Sequence, residues 1–401
     1  MALLLSTACG SDNATVSGPG AISTLIVTPA TPAIPVGGHQ QLAVVAKDAS
    51  GTVISAPVLT WSSSNTGVVT VSPTGMITGV ATGTATIRVS SQTVSDSVVV
   101  DVSGVLPPGL ALAFSTYIGG TVETSIRDVV TDAVGNIYAA GGTSSTNFPT
   151  TPGAYQRTFA GIHDIVVMKF SPAGQVIWST LIGGPNYDRA YALAVDPQGN
   201  VYVAGRAGAG MPGTQGTFQP TFGGGSPQNP YGPEDGVVCK LSADGGTLNW
   251  CSYFGTQDDR IVRDIALDAQ NNIFIAAAVD SAFYPAAWFT NSFQKTSAGS
   301  TEGIIAKIAN DGSHVIWASY IGGSGIESGE PSIKVDAAGS PTVLYVTNST
   351  DIPTPNGFDH TLAGPWDNYI VKFTPDGSGL VYGTYLGGSG TEATETHELA
   401  L

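Results

Sequence analysis

A short corner sequence occurs five times along this chain: Tyr117-Ile118-Gly119-Gly120, Leu181-Ile182-Gly183-Gly184, Tyr253-Phe254-Gly255-Thr256, Tyr320-Ile321-Gly322-Gly323 and Tyr385-Leu386-Gly387-Gly388. Successive copies lie 64, 72, 67 and 65 residues apart. A fixed period marks a repeat architecture, in which each unit buries its apolar face only by stacking on its neighbours. Scaffolds of near-identical units usually present surfaces and rarely build one asymmetric catalytic centre.

Aligning the copies predicts four strands per unit. The first ends in an acid, as in Val129-Val130-Thr131-Asp132, Leu193-Ala194-Val195-Asp196, Ile265-Ala266-Leu267-Asp268 and Ile333-Lys334-Val335-Asp336. A turn such as Asp196-Pro197-Gln198-Gly199-Asn200 follows, with Gly supplying the positive φ. The second strand is Val201-Tyr202-Val203-Ala204 and its equivalents. The third spans 165–170, 237–241, 304–308 and 369–373, and the fourth carries Trp178, Trp250, Trp317 and Tyr382. Four antiparallel strands per repeat describe a propeller blade. In the fourth copy, Ser340-Pro341-Thr342 is expected to disrupt the turn.

The corner, the Asp-Pro-Gln-Gly-Asn turn and the stretch from Asn147 to Gln156 resemble the bacterial SBBP-type β-propeller repeat. The resemblance covers 111–401. Residues 112–118 read as a fourth strand with no blade before it, and 399–401 as a first strand with nothing after it. The expectation is a propeller truncated within a fifth blade, part of a longer protein.

Residues 22–103 follow another pattern, with β-branched runs every few residues. Trp61-Ser62-Ser63-Ser64-Asn65, Val69-Thr70-Val71 and the Gly75-to-Ala85 stretch resemble the bacterial immunoglobulin-like group 2 family, known from intimin- and invasin-type surface proteins. That family implies a β-sandwich serving as a spacer or adhesion module, with Trp61 in the core rather than as a ligand platform. Residues 104–110, with Pro107 and Pro108, read as a short linker. The fold class is therefore all-β: an immunoglobulin-like β-sandwich followed by four complete four-stranded β-propeller blades in an incomplete ring.

Residues 1–21 read as a signal remnant and polar stalk. The run Leu3-Leu4-Leu5-Ser6-Thr7-Ala8-Cys9 resembles a bacterial lipoprotein signal, which would make Cys9 a lipidation site and the membrane a partner only through that anchor. It departs from the pattern in lacking a basic segment, in a short apolar run and in Ser6 where Leu is usual. A disordered tail with an incidental cysteine is the alternative.

The net charge of −16 excludes nucleic acid and anionic membrane surfaces as partners, since both need Lys and Arg clusters. Five scattered histidines show no metal-ligand spacing, and no nucleophile elbow is present. No cofactor is implied, and Ca²⁺ has no supporting motif.

Three residue sets stand out. Asp164, Asp235, Glu302 and Asp367 open the third strands, with Lys169, Lys240, Lys307 and Lys372 five residues on. That spacing puts acid and lysine on opposite faces, so blade-to-blade or loop contacts are expected of them. Glu123, Asp188, Asp259 and Glu327 follow the corners, on the end that also bears the long connections with Tyr155, Tyr284, Trp288 and Trp366. Aromatics stack on sugars and carboxylates hold hydroxyls, so this end is the candidate ligand face; loop packing is the competing role. Cys239 and Cys251 flank one turn and can bond if register allows. The resulting expectation is an exported, monomeric, non-catalytic surface protein that binds a glycan or a surface or matrix protein. An extracellular glycan-active enzyme with its site in the propeller channel or in missing blades, and a purely structural surface stalk, are the alternatives.

Overall fold

The computed structural model describes residues 21–55, 57–103, 114–224, 231–256, 261–279, 284–392 and 399. The chain divides into two units, one up to Leu112 and one from Ala113.

The first unit holds β1 (Thr24–Thr28), β2 (Ala33–Pro35), β3 (His39–Gln41), β4 (Ala43–Lys47), β5 (Thr60–Ser63), β6 (Val69–Val71), β7 (Met76–Gly79), β8 (Gly83–Ser91) and β9 (Val94–Ser103). One sheet runs β2-β9-β8-β5, a second β3-β7-β6, and β1 pairs with β4. Strict alternation along β8 buries Ala85, Ile87 and Val89 and leaves Arg88 outside. Period-two alternation gives a strand one apolar face. Val69, Ile77, Ile87 and Val100 close the core completely. Trp61 packs half-buried against that core, its ring on Gly75, where a Cβ would come within 2.7 Å.

The second unit contains four four-stranded antiparallel sheets. Blade 1 is β10 (Thr124–Thr131), β11 (Ile137–Thr143), β12 (Asp164–Phe170) and β13 (Val176–Ile182). Blade 2 is β14 (Asp188–Val195), β15 (Val201–Ala207), β16 (Asp235–Leu241) and β17 (Leu248–Phe254). Blade 3 is β18 (Val262–Leu267), β19 (Ile273–Val279), β20 (Glu302–Ile308) and β21 (Val315–Ile321). Blade 4 is β22 (Glu327–Val335), β23 (Pro341–Thr347), β24 (Asp367–Phe373) and β25 (Leu380–Leu386). Residues 114–118 form no strand, contrary to expectation, and 400–401 lie outside the described residues.

The apolar cores lie between consecutive blades. Tyr138, Ile165 and Val167 of blade 1 meet Val201, Val203 and Val237 of blade 2, and the same sandwiching recurs between later pairs. Each fully buried aliphatic side chain contributes about 1.5–3 kcal/mol, so a blade is stabilised mainly by its neighbours. A fourth-strand tryptophan spans each of these interfaces. Trp178 lies on Gly245, Trp250 on Gly312 and Trp317 on Gly377, each a left-handed hairpin glycine of the next blade. Phe114 makes the same contact with Gly174 of blade 1, so it takes the tryptophan's place without its strand.

The acid that ends each first strand builds the following turn. One carboxylate oxygen of Asp132, Asp196, Asp268 and Asp336 accepts the amides two and four residues on, at 2.8–3.1 Å. The turn at Ser340-Pro341 is therefore intact, which corrects the expectation. Pro341 falls after the two amides that the carboxylate needs, and Gly339 supplies a φ of 82°.

Candidate functional site

The repeated acid–lysine set serves the blades. Asp164, Asp235, Glu302 and Asp367 are fully buried and accept amides from the loop just before them, such as Ala160 N on Asp164 at 3.0 Å and Ala363 N on Asp367 at 2.8 Å. The lysines stand on the other face. Lys169 and Lys240 lie over the rings of Tyr138 and Tyr202, whose hydroxyls reach the turn acids Asp132 and Asp196 at 3.2 and 3.1 Å. Where the second strand carries Phe274 or Thr342 instead, the lysine reaches the turn acid itself: Lys307 to Asp268 at 2.9 Å and Lys372 to Asp336 at 2.7 Å. Lys240 also bonds Asn310 of the next blade.

The expected ligand-face carboxylates need correction. Asp188 and Glu327 are fully buried. Each folds back on its own corner: Gly184 N donates to Asp188 at 2.7 Å and Gly323 N to Glu327 at 3.2 Å. Gly208 N completes Asp188, and the Thr347 and Ser349 hydroxyls complete Glu327. Burial pushes both acids up to about 7, and Asp164 to about 6. The corner's first glycine covers these carboxylates. A Cβ on Gly322 would sit 2.0 Å from Glu327 and 2.1 Å from Glu302. Glu123 is exposed, yet it is not the equivalent position: register places Thr124 opposite Thr143 as Glu327 lies opposite Thr347. Asp259 and Cys9 lie outside the described residues.

The aromatic residues divide. Tyr155 is half-buried against the core between blades 1 and 2, and its amide bonds Gly245 O at 2.9 Å, which pins the loop. Trp366 is half-buried, with its carbonyl bonded by Glu392 N at 3.1 Å. Tyr284 and Trp288 come together across the short 3₁₀ turn Ala286–Phe289, with ring centroids 5.7 Å apart. Trp288 stacks on Phe254 at 5.9 Å and, with Phe218, Tyr284 and Pro285, borders a cavity of about 380 Å³.

A second concavity, of about 520 Å³, lies where the first strands of all four blades converge. Each of those strands has a β-bulge. The residues skipped in the ladder are Arg127 between Ile126 and Asp128, Tyr191 between Ala190 and Ala192, Arg263 between Val262 and Asp264, and 329–331 in blade 4. A bulge re-aims its extra side chain, and here Arg127, Tyr191, Arg263 and Glu330 line one cavity. Gly141 permits the first bulge: a Cβ there would lie 2.0 Å from Ser125 O. The neighbouring Asp128 and Asp264 tie blades together. Asp128 accepts Leu193 N of blade 2 at 2.7 Å, and Asp264 accepts Ile333 N of blade 4 at 2.7 Å. Among the described residues no group of His, Cys, Asp and Glu converges to hold a metal ion.

Residues 21–102 match the bacterial Ig-like domain (group 2) model, and residues 177–210 match the SBBP β-propeller repeat model. The chain thus contains one segment matching the bacterial Ig-like family and one segment matching a single SBBP propeller repeat. The matched SBBP segment begins in the fourth strand of blade 1 and ends beyond the second strand of blade 2, so the sequence repeat straddles the structural blade. This pairing of modules suggests a surface or extracellular repeat protein. Among solved structures, similarity extends to a protein of unknown function from Dyadobacter fermentans, at 14% identity over 65% of this chain and 68% of that one, TM-score 0.34. It extends also to domains 4–9 of the surface layer protein SbsC, at 11% identity over 93% and 83%, TM-score 0.22. A quinonprotein alcohol dehydrogenase-like protein from Bacteroides thetaiotaomicron gives 12% identity over 90% and 94%, TM-score 0.22. These likenesses are too distant to bear on function. No curated protein matches the chain.

Sequence reasoning offered the propeller channel only as the place of an alternative enzyme site and missed the residues that line it. The Arg-Asp pair recurs at Arg127-Asp128 and Arg263-Asp264 in the first strands, in a chain with only seven arginines. That recurrence was the available signal. The other two blades carry Tyr191-Ala192 and Pro331-Ser332 there, so a search for what all repeats share passes over it.

Cys239 and Cys251 face each other in register on β16 and β17 and form a disulfide.

Proposed function

We propose that this is a non-catalytic extracellular binding protein in which the Ig-like domain is a spacer and the propeller binds a glycan or a protein surface. The observation that carries the reading is the aromatic cavity of blades 2 and 3. The half-buried Trp288 ring, backed by Phe254 and flanked by Phe218 and Tyr284, borders a concavity with the Gln219 side chain and Gly255 at its edge. Flat rings suit the apolar face of a sugar, while the Gln219 amide is held by Thr221 O, Gly255 O and Gly255 N and fixes the cavity edge. A saturating glycan-array screen of the whole chain tests this. Binding that weakens about tenfold or more on Trp288→Ala, with the urea midpoint of Trp288→Phe as a folding control, supports it. Binding unchanged by Trp288→Ala refutes the site, and consumption of a bound glycan refutes the non-catalytic reading.

Hydrolysis in the channel is the competing activity, because Asp128 and Asp264 border one cavity and burial raises Asp128. Acid–base work needs an oxygen free to reach substrate. Asp128 holds Val129 N on one oxygen and Leu193 N on the other. Asp264 holds Ile265 N on one, and Ser332 Oγ and Ile333 N on the other. That engagement argues for a structural tie at both positions.

A further inference from the structure

Four of the chain's seven arginines converge on one tyrosine. The guanidinium carbons of Arg127, Arg189, Arg206 and Arg263 lie 5.4, 5.5, 5.6 and 4.8 Å from the centroid of the Tyr191 ring. Lys334 lines the same cavity. A protein with a net charge of −16 has thus gathered a large part of its positive charge around its inner strands.

The positive charge there is only partly answered. Arg206 pairs with Glu234 at 2.9 Å, and Arg263 pairs with Glu330. Arg189 bonds two hydroxyls, Tyr187 at 3.2 Å and Ser125 at 2.7 Å, and has no carboxylate partner among the described residues. Arg127 is exposed and makes no hydrogen bond or ion pair to any described residue beyond its position over Tyr191. Lys334 reaches Asp264 at 3.4 Å, on an oxygen already shared with Ser332 and Ile333. Among these described residues, five cations meet the carboxylates of Glu234, Glu330, Asp264 and Asp128, and burial pushes Asp128 toward its neutral form. Burial also draws the Arg263 guanidinium down despite Glu330, with Arg206 and Arg127 repelling it further. Like charges held this close call for a counter-anion, which the protein supplies incompletely.

The backbone is arranged for this gathering. Three of the four first strands spend a bulge on Arg127, Tyr191 or Arg263. The cavity volume, about 520 Å³, falls in the range of small-molecule sites. A guanidinium presents a planar fork of donors matching a carboxylate.

We propose that the channel cavity is a second binding site, which takes an organic carboxylate of the acidic-saccharide type, held by the Arg127 fork beside the Tyr191 ring. The saccharide part of this inference rests on the glycan-binding reading above; the carboxylate part rests on the channel alone.

The test is isothermal titration of the whole chain with trigalacturonate, and with galactotriose as the neutral match. Trigalacturonate is expected to bind, more weakly as salt is raised, and galactotriose is not expected to compete in the channel. Arg127→Ala should weaken trigalacturonate by about tenfold or more, and Arg127→Lys should recover part of the loss, because charge returns without the fork. Arg127 is exposed and unbonded, so the alanine variant should keep the parent urea midpoint. Trigalacturonate binding that is absent, or indifferent to Arg127→Ala, overturns the proposal. Neutral glycan binding lost on Trp288→Ala with no trigalacturonate binding defeats this inference alone. Trigalacturonate binding lost on Arg127→Ala, with no neutral glycan bound anywhere, defeats only the aromatic site.

Discussion

Replacing Gly312 with alanine should separate two contributions that one glycine makes at once. The residue sits at φ 72°, and a Cβ there would lie 2.5 Å from Trp250 Cδ2, 2.7 Å from Cε2 and 2.8 Å from Cε3. A left-handed backbone costs an L-residue about 1–2 kcal/mol. Overpacking against a buried ring adds about 1–3 kcal/mol, and Trp250 cannot retreat easily, being 6% exposed with its indole N–H on Asn310 O at 3.2 Å. The sum is about 2–5 kcal/mol. Gly153→Ala is the control: φ is 86° and nothing stands within 4 Å of its Cβ, so only the backbone cost applies. Urea unfolding at fixed pH measures both. Trp250→Ala alone should cost about 3–5 kcal/mol. In that background Gly312→Ala should fall to the Gly153→Ala value, because the ring is gone. Equal costs for Gly312→Ala and Gly153→Ala in the parent would refute the packing argument, as would a full penalty persisting without Trp250.

The buried acids predict an inverted acid response. Unfolded carboxyls titrate near about 4, whereas Asp164 is raised to about 6 and Asp188 and Glu327 to about 7 by burial. The folded chain therefore holds extra protons between those limits, and stability falls as pH rises through about 7. Urea midpoints should be higher near pH 5 than near pH 8, and Asp188→Asn should flatten that slope; a midpoint that rises with pH would contradict it. The Cys239–Cys251 bond closes a short loop, so replacing both cysteines with alanine should cost about 3 kcal/mol, read from the same unfolding curves. A cost near zero would mean that the neighbouring ladder already fixes the loop.

What was legible in the sequence is what the backbone repeats. The corner glycines, the turn acids and the third-strand acids recur because each satisfies the same amides or covers the same buried carboxylates in every blade. Asp188 and Glu327 were read as ligand groups because an acid beside a loop looks the same whether it faces solvent or its own corner. Only register separates Glu123 from the true position, Thr124, where a threonine pair at 2.7 Å does without a carboxylate. The residues lining the channel were illegible for the opposite reason. Its residues sit at equivalent bulges but differ in kind, and a bulge shifts the strand period by one, which breaks the alternation that sequence reading relies on.

The tryptophan-on-glycine contact has a direction. Each blade supplies the ring and the next supplies the hairpin glycine: Trp178 to Gly245, Trp250 to Gly312, Trp317 to Gly377, with Phe114 offered to Gly174 at the start. A chain folding as it leaves the ribosome, N-terminal part first, meets these partners in order. A finished blade presents an apolar face that includes its indole, and the following blade, with its hairpin glycine on that ring, covers it before the next face is exposed. Apolar surface awaiting its partner is then held to one blade face at the growing edge rather than accumulating over the whole array. Phe114 lets the series start without an earlier blade, serving as the seed on which the first hairpin settles.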